Sequence, residues 1–280
     1  MKGYKALNMD MSSAYGDMSY EIGKKYTITG KLVPCENGYH FCENLEDIEG
    51  YYTISDSRIF EVEAEGKIII GENKICAESI TLLRELSKEE IRQYFKDNQE
   101  QILTRDWHHR KALVDQGFCL DKLVYDEDFD VRKTVARQGY SLDILVNDKD
   151  CHVREAVAEQ GYGLGILIND ENWRVRAAVA RQGYGLDILV HDEDWYVRAA
   201  VAEQGYGLDI LVNDEDYDVR RAVAEHGYGL DVLINDKNWY IQNKAVAKQN
   251  GGLMIPISSG ISPAQDTKKE KKKWLNFWKK

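Results

Sequence analysis

Three residues in one short run have the types that do chemistry: Cys35, His40 and Cys42, within CENGYHFCEN. Thiolate and imidazole are ligands that zinc prefers, and they are also the nucleophile and base of thiol catalysis. The spacing C-x4-H-x-C lacks the paired C-x2-C of a zinc knuckle, and no second cluster follows it. Side chains alternate along a strand, so His40 and Cys42 fall on one face and Phe41 on the other. The expectation is no metal, no cofactor and no assigned catalytic residue.

The elements that must hold this run are short. KGYKAL, KKYTIT, GYHFC, RIFEVEAEG, KIIIG and ICAESITLL read as strands separated by Gly, Asn and Asp. A short helix is expected over 45–52. A longer one starts at Ser87, where Ser87 and Glu90 make a capping box and Ile91, Tyr94, Phe95, Ile102 and Leu103 supply an apolar stripe. The reading is a small α+β domain over 1–86 and a connecting helix over 87–103.

The order YKAL, EIGKKY, CENGYHFCENLEDIEGYY and RIFEVEAEG resembles a small phage-associated domain of unknown function that occurs fused to repeat modules. The resemblance implies a bacteriophage or prophage source and transfers no catalytic residue. The run G-Y-H-F-C-E-N-x-x-D-x-x-x-Y-Y is also similar to the glycine-aromatic strand and following helix of ADP-ribosyltransferase-like folds, which bind NAD in a cleft. That likeness implies a pocket lined by Tyr39, His40, Tyr51 and Tyr52, with Glu78 or Glu85 as its acidic partner. The first strand, GYKAL, departs from those enzymes in having neither Arg nor His, so the implied pocket is vestigial.

Beyond the connecting helix the chain repeats itself. A Val-Arg pair begins at 131, 153, 175, 197 and 219, a step of 22 residues each time. In the copy DEDWYVRAAVAEQGYGLDILVN, Asp194 is placed to cap a helix from about Trp195 to Gln204. Val197, Ala200 and Val201 make its inner stripe, and Gly205 is its left-handed stop. Leu208, Leu211 and Val212 then point inward from a short α or 3-10 helix. One such unit cannot enclose a core, but stacked units share one. Copies start at Thr104, Asp126, Asp148, Asp170, Asp192, Asp214 and Asp236, giving a seven-repeat all-α solenoid over 104–250. The terminal copies diverge as caps: His109 replaces the usual Val in the first, and one residue is inserted in the last. The D-x-D-x-x-V-R-x-x-V-A pattern resembles HEAT-like repeats and the leucine-rich repeat variant family, which implies an α-solenoid used mainly to bind proteins.

Within the repeats, Arg110, Arg132, Arg154, Arg176, Arg198 and Arg220 recur at one position and Asp143, Asp187, Asp209 and Asp231 at another. Two such rows suit Arg–Asp bridges and carbonyl contacts between neighbouring units. Tyr140, Tyr162, Tyr184, Tyr206 and Tyr228 form an aromatic row suited to packing or protein contact. The positions that vary carry the specificity: Arg174, Tyr196, Asp218 and Tyr240 after the helix-opening aromatic, and Lys133, Glu155, Ala177, Ala199 and Arg221 beyond the Arg. Variation marks solvent, so a partner is expected there.

Charge narrows the partner. Lys+Arg number 37 against Asp+Glu 48, a net charge of −11, which disfavours nucleic acid. The end of the chain inverts the sign: KKEKKKWLNFWKK places lysines around Trp274 and Trp278, suited to an anionic membrane surface or an acidic groove. This segment, 251–280, reads as linker and tail. The absence of an apolar leader and of a long apolar run points to the cytoplasm, and five cysteines there stay reduced. The expected function is non-enzymatic capture of a host protein on an acidic repeat platform, as a phage-encoded regulator or defence antagonist. Two alternatives stand beside it: an ADP-ribosyltransferase-like or other enzymatic N-terminal domain aimed by the repeats, and a DNA mimic built on carboxylates such as Asp192, Glu193, Asp214 and Glu215.

Overall fold

The computed structural model describes residues 1–13, 16–34, 36–71 and 74–250. Cys35, Trp274 and Trp278 lie outside them. An antiparallel sheet region is followed by repeated helices, and the chain divides into two compact units, Met1–Ser141 and a second that begins at Leu142.

The first unit opens with β1 (Lys2–Leu7), a small β2 (Ser12–Ser13) and β3 (Gly16–Ser19) hairpin, β4 (Lys25–Thr27) and β5 (Tyr39–Phe41). Two long strands follow, β6 (Arg58–Ile70) and β7 (Ile75–Glu85), paired antiparallel. RIFEVEAEG and KIIIG, read separately in the sequence, are one strand. Gly66 adopts a left-handed conformation and the register slips between Glu65 and Ile68, so the bulge bends β6 without ending it. The order is β1-β6-β7-β4, with β5 also on β7. Cys42, just past β5, exchanges both backbone hydrogen bonds with Tyr4 of β1 at 2.7 and 2.8 Å, so the sheet closes on itself. That approach needs Gly3, where a Cβ would lie 2.4 Å from the Cys42 carbonyl oxygen. Leu7, Phe41, Phe60, Val62, Ile80 and Leu82 fill the interior.

The segment expected as a helix over 45–52 is a 3-10 turn, Leu45–Gly50, followed by a second, Ile54–Asp56. The reason is electrostatic. Glu46 and Asp47 are buried on this turn and are held by the helices that follow. These are α1 (Lys88–Ile102), whose capping box at Ser87 and Glu90 forms as expected, and α2 (Trp107–Asp115) of the first repeat. Tyr94 Oη donates to Glu46 at 2.7 Å, Arg105 donates to Glu46 and Asp47 at 2.9 and 2.5 Å, and Lys111 donates to Glu49 at 2.7 Å. His109, buried where other copies carry Val, places Nε2 2.9 Å from Asp47 and Nδ1 2.7 Å from Asp106. Both ring nitrogens face carboxylates, so both donate and the imidazole is charged. Burial opposes that charge, but the bonds to Asp47 and Asp106 outweigh it and hold the pKa above 6.5. The first unit is completed by α3 (Leu120–Leu123) and α4 (Phe129–Arg137).

The second unit runs through α5 (Leu142–Leu145), α6 (Cys151–Glu159), α7 (Leu164–Leu167), α8 (Trp173–Arg181), α9 (Leu186–Leu189), α10 (Trp195–Glu203), α11 (Leu208–Leu211), α12 (Tyr217–His226), α13 (Leu230–Leu233) and α14 (Trp239–Gln249). The longer helices α6, α8, α10, α12 and α14 pack in succession. The local reading of one copy holds: Asp194 accepts from Tyr196 N at 2.8 Å, and Val197, Ala200, Val201 and Leu211 are buried. A second glycine, Gly207, is required as well. It is left-handed at φ 59°, and a Cβ there would sit 2.5 Å from Val190 Cγ2 of the previous copy.

The recurring arginines are structural, with different partners from those the sequence suggested. Arg198 Nε and Nη2 donate to Asp214 at 2.7 and 3.0 Å, while Nη1 donates to the carbonyls of Asp192 and Glu193 at 2.8 and 3.1 Å. Arg154 with Asp170, Arg176 with Asp192, Arg220 with Asp236 and, in the first unit, Arg110 with Asp126 repeat this pattern. Asp143, Asp187, Asp209 and Asp231 are exposed instead, because the short helices turn that position outward. Ala177 and Ala199 are buried, so in those two copies the position beyond the Arg serves packing, whereas Lys133, Glu155 and Arg221 are half-buried at the same place.

Two measurements check these bonds. Arg198→Ala strands a buried Asp214 and should cost about 3 kcal/mol in urea unfolding, whereas Asp209→Asn at the exposed row should stay within about 0.5 kcal/mol. For His109 the folded pKa is raised, so its stabilisation is full below 6.5 and is lost as pH rises through the folded value. The stability difference between the wild type and His109→Val should therefore shrink across that rise. A difference that stays constant with pH would show an uncharged imidazole.

Candidate functional site

Strand β5 decides which of its side chains can meet a ligand. Tyr39 and Phe41 point to the sheet interior and His40 to the opposite face. Tyr39 is not part of the cavity wall beside β1 and β5. It is buried against Tyr20 and Tyr26, with ring centroids at 6.5 and 6.4 Å. His40 and Tyr51 do line that cavity, together with Tyr52, and its volume is about 250 Å³. Lys5, Tyr20, Cys42 and Lys74 complete the part of the wall that bears on its chemistry.

Lys5 is the residue the sequence reading passed over. It lies mid-strand in KGYKAL with its side chain turned into the wall, and its Nζ donates to the His40 carbonyl at 2.8 Å and lies 5.1 Å from the Tyr20 ring centroid. Burial lowers its pKa to about 8, with the Cys42 thiol opposing and Lys74 adding to the fall. Burial likewise lowers His40 to about 4, helped by Lys74 and Lys5, so this imidazole is neutral. Burial, with Asp47 next, pushes the Cys42 thiol up to about 12. A thiol held protonated is a poor nucleophile and a poor metal ligand. The Lys74 ammonium sits over the Tyr51 ring at 4.7 Å. A lysine at the inward position of a short first strand was the available signal for this wall.

The acidic partners suggested for this pocket are engaged elsewhere. Glu78 accepts from the Lys67 amide at 2.8 Å, and Glu85 makes a two-bond pair with Arg58 at 2.9 and 2.6 Å. Among the described residues, one trio has metal-ligand types, Asp150, Cys151 and His152. Its geometry is that of a helix start: Asp150 caps α6, accepting from His152 N at 2.8 Å.

On the repeats of the second unit, the four varying positions stand at equivalent places on α8, α10, α12 and α14. Arg174 is exposed, its guanidinium 4.8 Å from the Trp173 ring. Tyr196 is half-buried, edge-on to Trp173 at 4.8 Å and beneath the Arg181 guanidinium at 5.0 Å. Asp218 pairs with Arg221 at 3.0 Å, and Tyr240 is exposed beside Lys244. A second row is more uniform. Tyr162, Tyr184, Tyr206 and Tyr228 are exposed, and so are Ile166, Ile188, Ile210 and Val232 on the short helices, between 42% and 63%. Asp187, Asp209 and Asp231 are exposed alongside them. The aliphatic members were legible from the i, i+3 pairing of Leu208 and Leu211, which leaves Ile210 on the outer side.

The Cys42 assignment has a direct check. At pH 8, iodoacetamide should label Cys42 in the folded chain at least about tenfold more slowly than in denaturant, read by peptide mapping. Equal rates would show an accessible thiolate.

A family described as a domain of unknown function, DUF7666, matches residues 1–93, which takes in the sheet, the acidic turn and the start of α1. No curated protein matches the chain.

Proposed function

We propose that the chain is a non-enzymatic protein-binding protein whose repeats capture a host protein, as a phage-encoded regulator or defence antagonist. The observation that carries this reading is the exposed Tyr and Ile row. The Val, Ala and Leu stripe completes the core of each copy, yet an aliphatic side chain is left in water at the same place in successive copies. An exposed apolar row repeated through successive copies, with Asp187, Asp209 and Asp231 exposed on the same short helices, suits a partner that presents apolar groups flanked by basic ones. The changing residues Arg174, Tyr196, Asp218 and Tyr240 then distinguish one partner from another.

A DNA-mimic reading has one observation in its favour. Glu171, Glu193 and Glu215 carry side chains that are 89%, 90% and 90% exposed at the repeat spacing. Asp192 and Asp214, in contrast, are occupied by Arg176 and Arg198.

The test is a pull-down from bacterial host lysate with the full chain and with a variant carrying Tyr184→Ser, Ile188→Ser, Tyr206→Ser and Ile210→Ser. The platform reading expects a stoichiometric protein with the wild type and its loss with the variant. No captured protein, or capture unchanged by the variant, overturns it. Displacement of the partner by duplex DNA at low salt would move the assignment to a mimic.

A further inference from the structure

We propose that the cavity beside β1 and β5 is a binding site for a small phosphate monoester, with the phosphate held between Lys5 and Lys74 and a planar organic group lying against Tyr20, Tyr51 and Tyr52.

The argument begins with the cost of Lys5. Its side chain is buried at 8% exposure, and among the described residues no carboxylate lies within ion-pair distance of it. A desolvated ammonium without a counter-charge is expensive, by several kcal/mol in the general case. An ammonium has three N–H donors, and Lys5 gives one to the His40 carbonyl. The other two are left for whatever occupies the cavity. The nearest buried acids do not relieve it, because Glu46 and Asp47 are committed to Arg105, Tyr94, His109 and Asn44.

Charge then selects the ligand. Lys74 brings a second cation to the same cavity, and His40 is held neutral, so it adds no repulsion to an incoming anion or to the lysines. Among the described residues the wall has one acidic residue, Glu36, and it is exposed, so water screens its charge far more than it screens the buried Lys5. Two point-charge donors match a dianion better than a single carboxylate, and lysine suits phosphate in that role. Tyrosine rings supply flat apolar surface for the ester group. The depressed pKa of Lys5, about 8, fits the same picture, because the missing counter-charge is what a bound anion would provide. This assignment is independent of any partner on the repeats.

The experiment is calorimetric titration of the full chain with phenyl phosphate, inorganic phosphate and phenol. Phenyl phosphate is expected to bind with 1:1 stoichiometry, more tightly than inorganic phosphate, and phenol not to bind. Lys5→Met, which keeps the length of the side chain and removes the buried charge, should weaken phenyl phosphate about tenfold or more, with the melting temperature unchanged or higher. Lys74→Met, at a half-buried position, should weaken it severalfold and keeps the test decisive if Lys5→Met does not fold. Absence of phenyl phosphate binding, binding as tight by phenol, or affinity unchanged in Lys74→Met overturns the proposal.

Discussion

The repeats depend on one kind of buried charge pair, the bond from Arg110, Arg154, Arg176, Arg198 and Arg220 to the first Asp of the copy that follows. A 22-residue helix pair has too little apolar surface to stand alone, and the Val and Ala stripe sets no register by itself. Arg198 sets it. Its fork holds Asp214 in the copy ahead and the turn carbonyls of Asp192 and Glu193 at the start of its own. Asp214 in turn accepts from Asp216 N at 2.9 Å, and Asp216 accepts from Asp218 N at 2.8 Å to start the helix. The D-x-D pair is thus a division of labour, the first carboxylate joining copies and the second capping a helix. These arginines are held mainly by the joining Asp, so the intervening glutamates touch them only at the margin, Glu193 at 3.7 Å from Arg176 and Glu215 at 3.8 Å from Arg198, with side chains 90% exposed. With the outer aspartates also exposed, the surface is acidic as a consequence of how the copies are joined.

The first copy uses the same frame for another purpose. Thr104 replaces the joining Asp, since no copy precedes it, and the usual Val becomes His109. An imidazole there would be stranded among aliphatic neighbours in a middle repeat. Beside the turn Leu45–Gly50 it meets Asp47, and Arg105 and Lys111 close on the same acidic segment. Glu46 and Asp47 are tolerated in a small sheet domain because Arg105, between α1 and α2, and His109 of α2 supply the counter-charges, with Tyr94 of α1 as a further donor. The sheet domain and the opening of the repeats are therefore one physical object within the first unit.

What could be read from the sequence follows from this division between local and distant causes. Caps, the capping box, the glycine stops and the inner stripe are each set within a few residues, and they were legible. The partner of Arg198 was not. Asp209 and Asp214 are both nearby in sequence, and choosing between them requires the path of the short helix. The same limit applies to β6, where Gly66 looks like a break and is a bulge, and to the turn at Leu45, whose helical spacing gives way to buried ion pairs. For the cavity, alternation placed His40 correctly away from Phe41. Tyr39, by the same rule, belonged with Phe41 in the core, and Lys5 became visible only when β1 was placed opposite the residue after β5.

The distinction between architecture and recognition applies to the exposed row itself. Recurrence alone does not mark a binding surface, because Arg198 recurs for stacking. Tyr184 is half explained in the same way: its hydroxyl lies 3.3 Å from where a Cβ at Gly165 would stand, so the ring leans on the preceding short helix. Ile166, Ile188 and Ile210 are exposed at 63%, 59% and 48%. Each projects from a four-residue helix whose inner side is already met by Leu, and polar residues at those places would serve stacking equally well while lowering the cost of solvation. An exposed aliphatic kept through successive copies is the stronger sign of contact, and under the proposed capture of a protein it puts the short helices, ahead of the variable helix starts, at the centre of the face we propose.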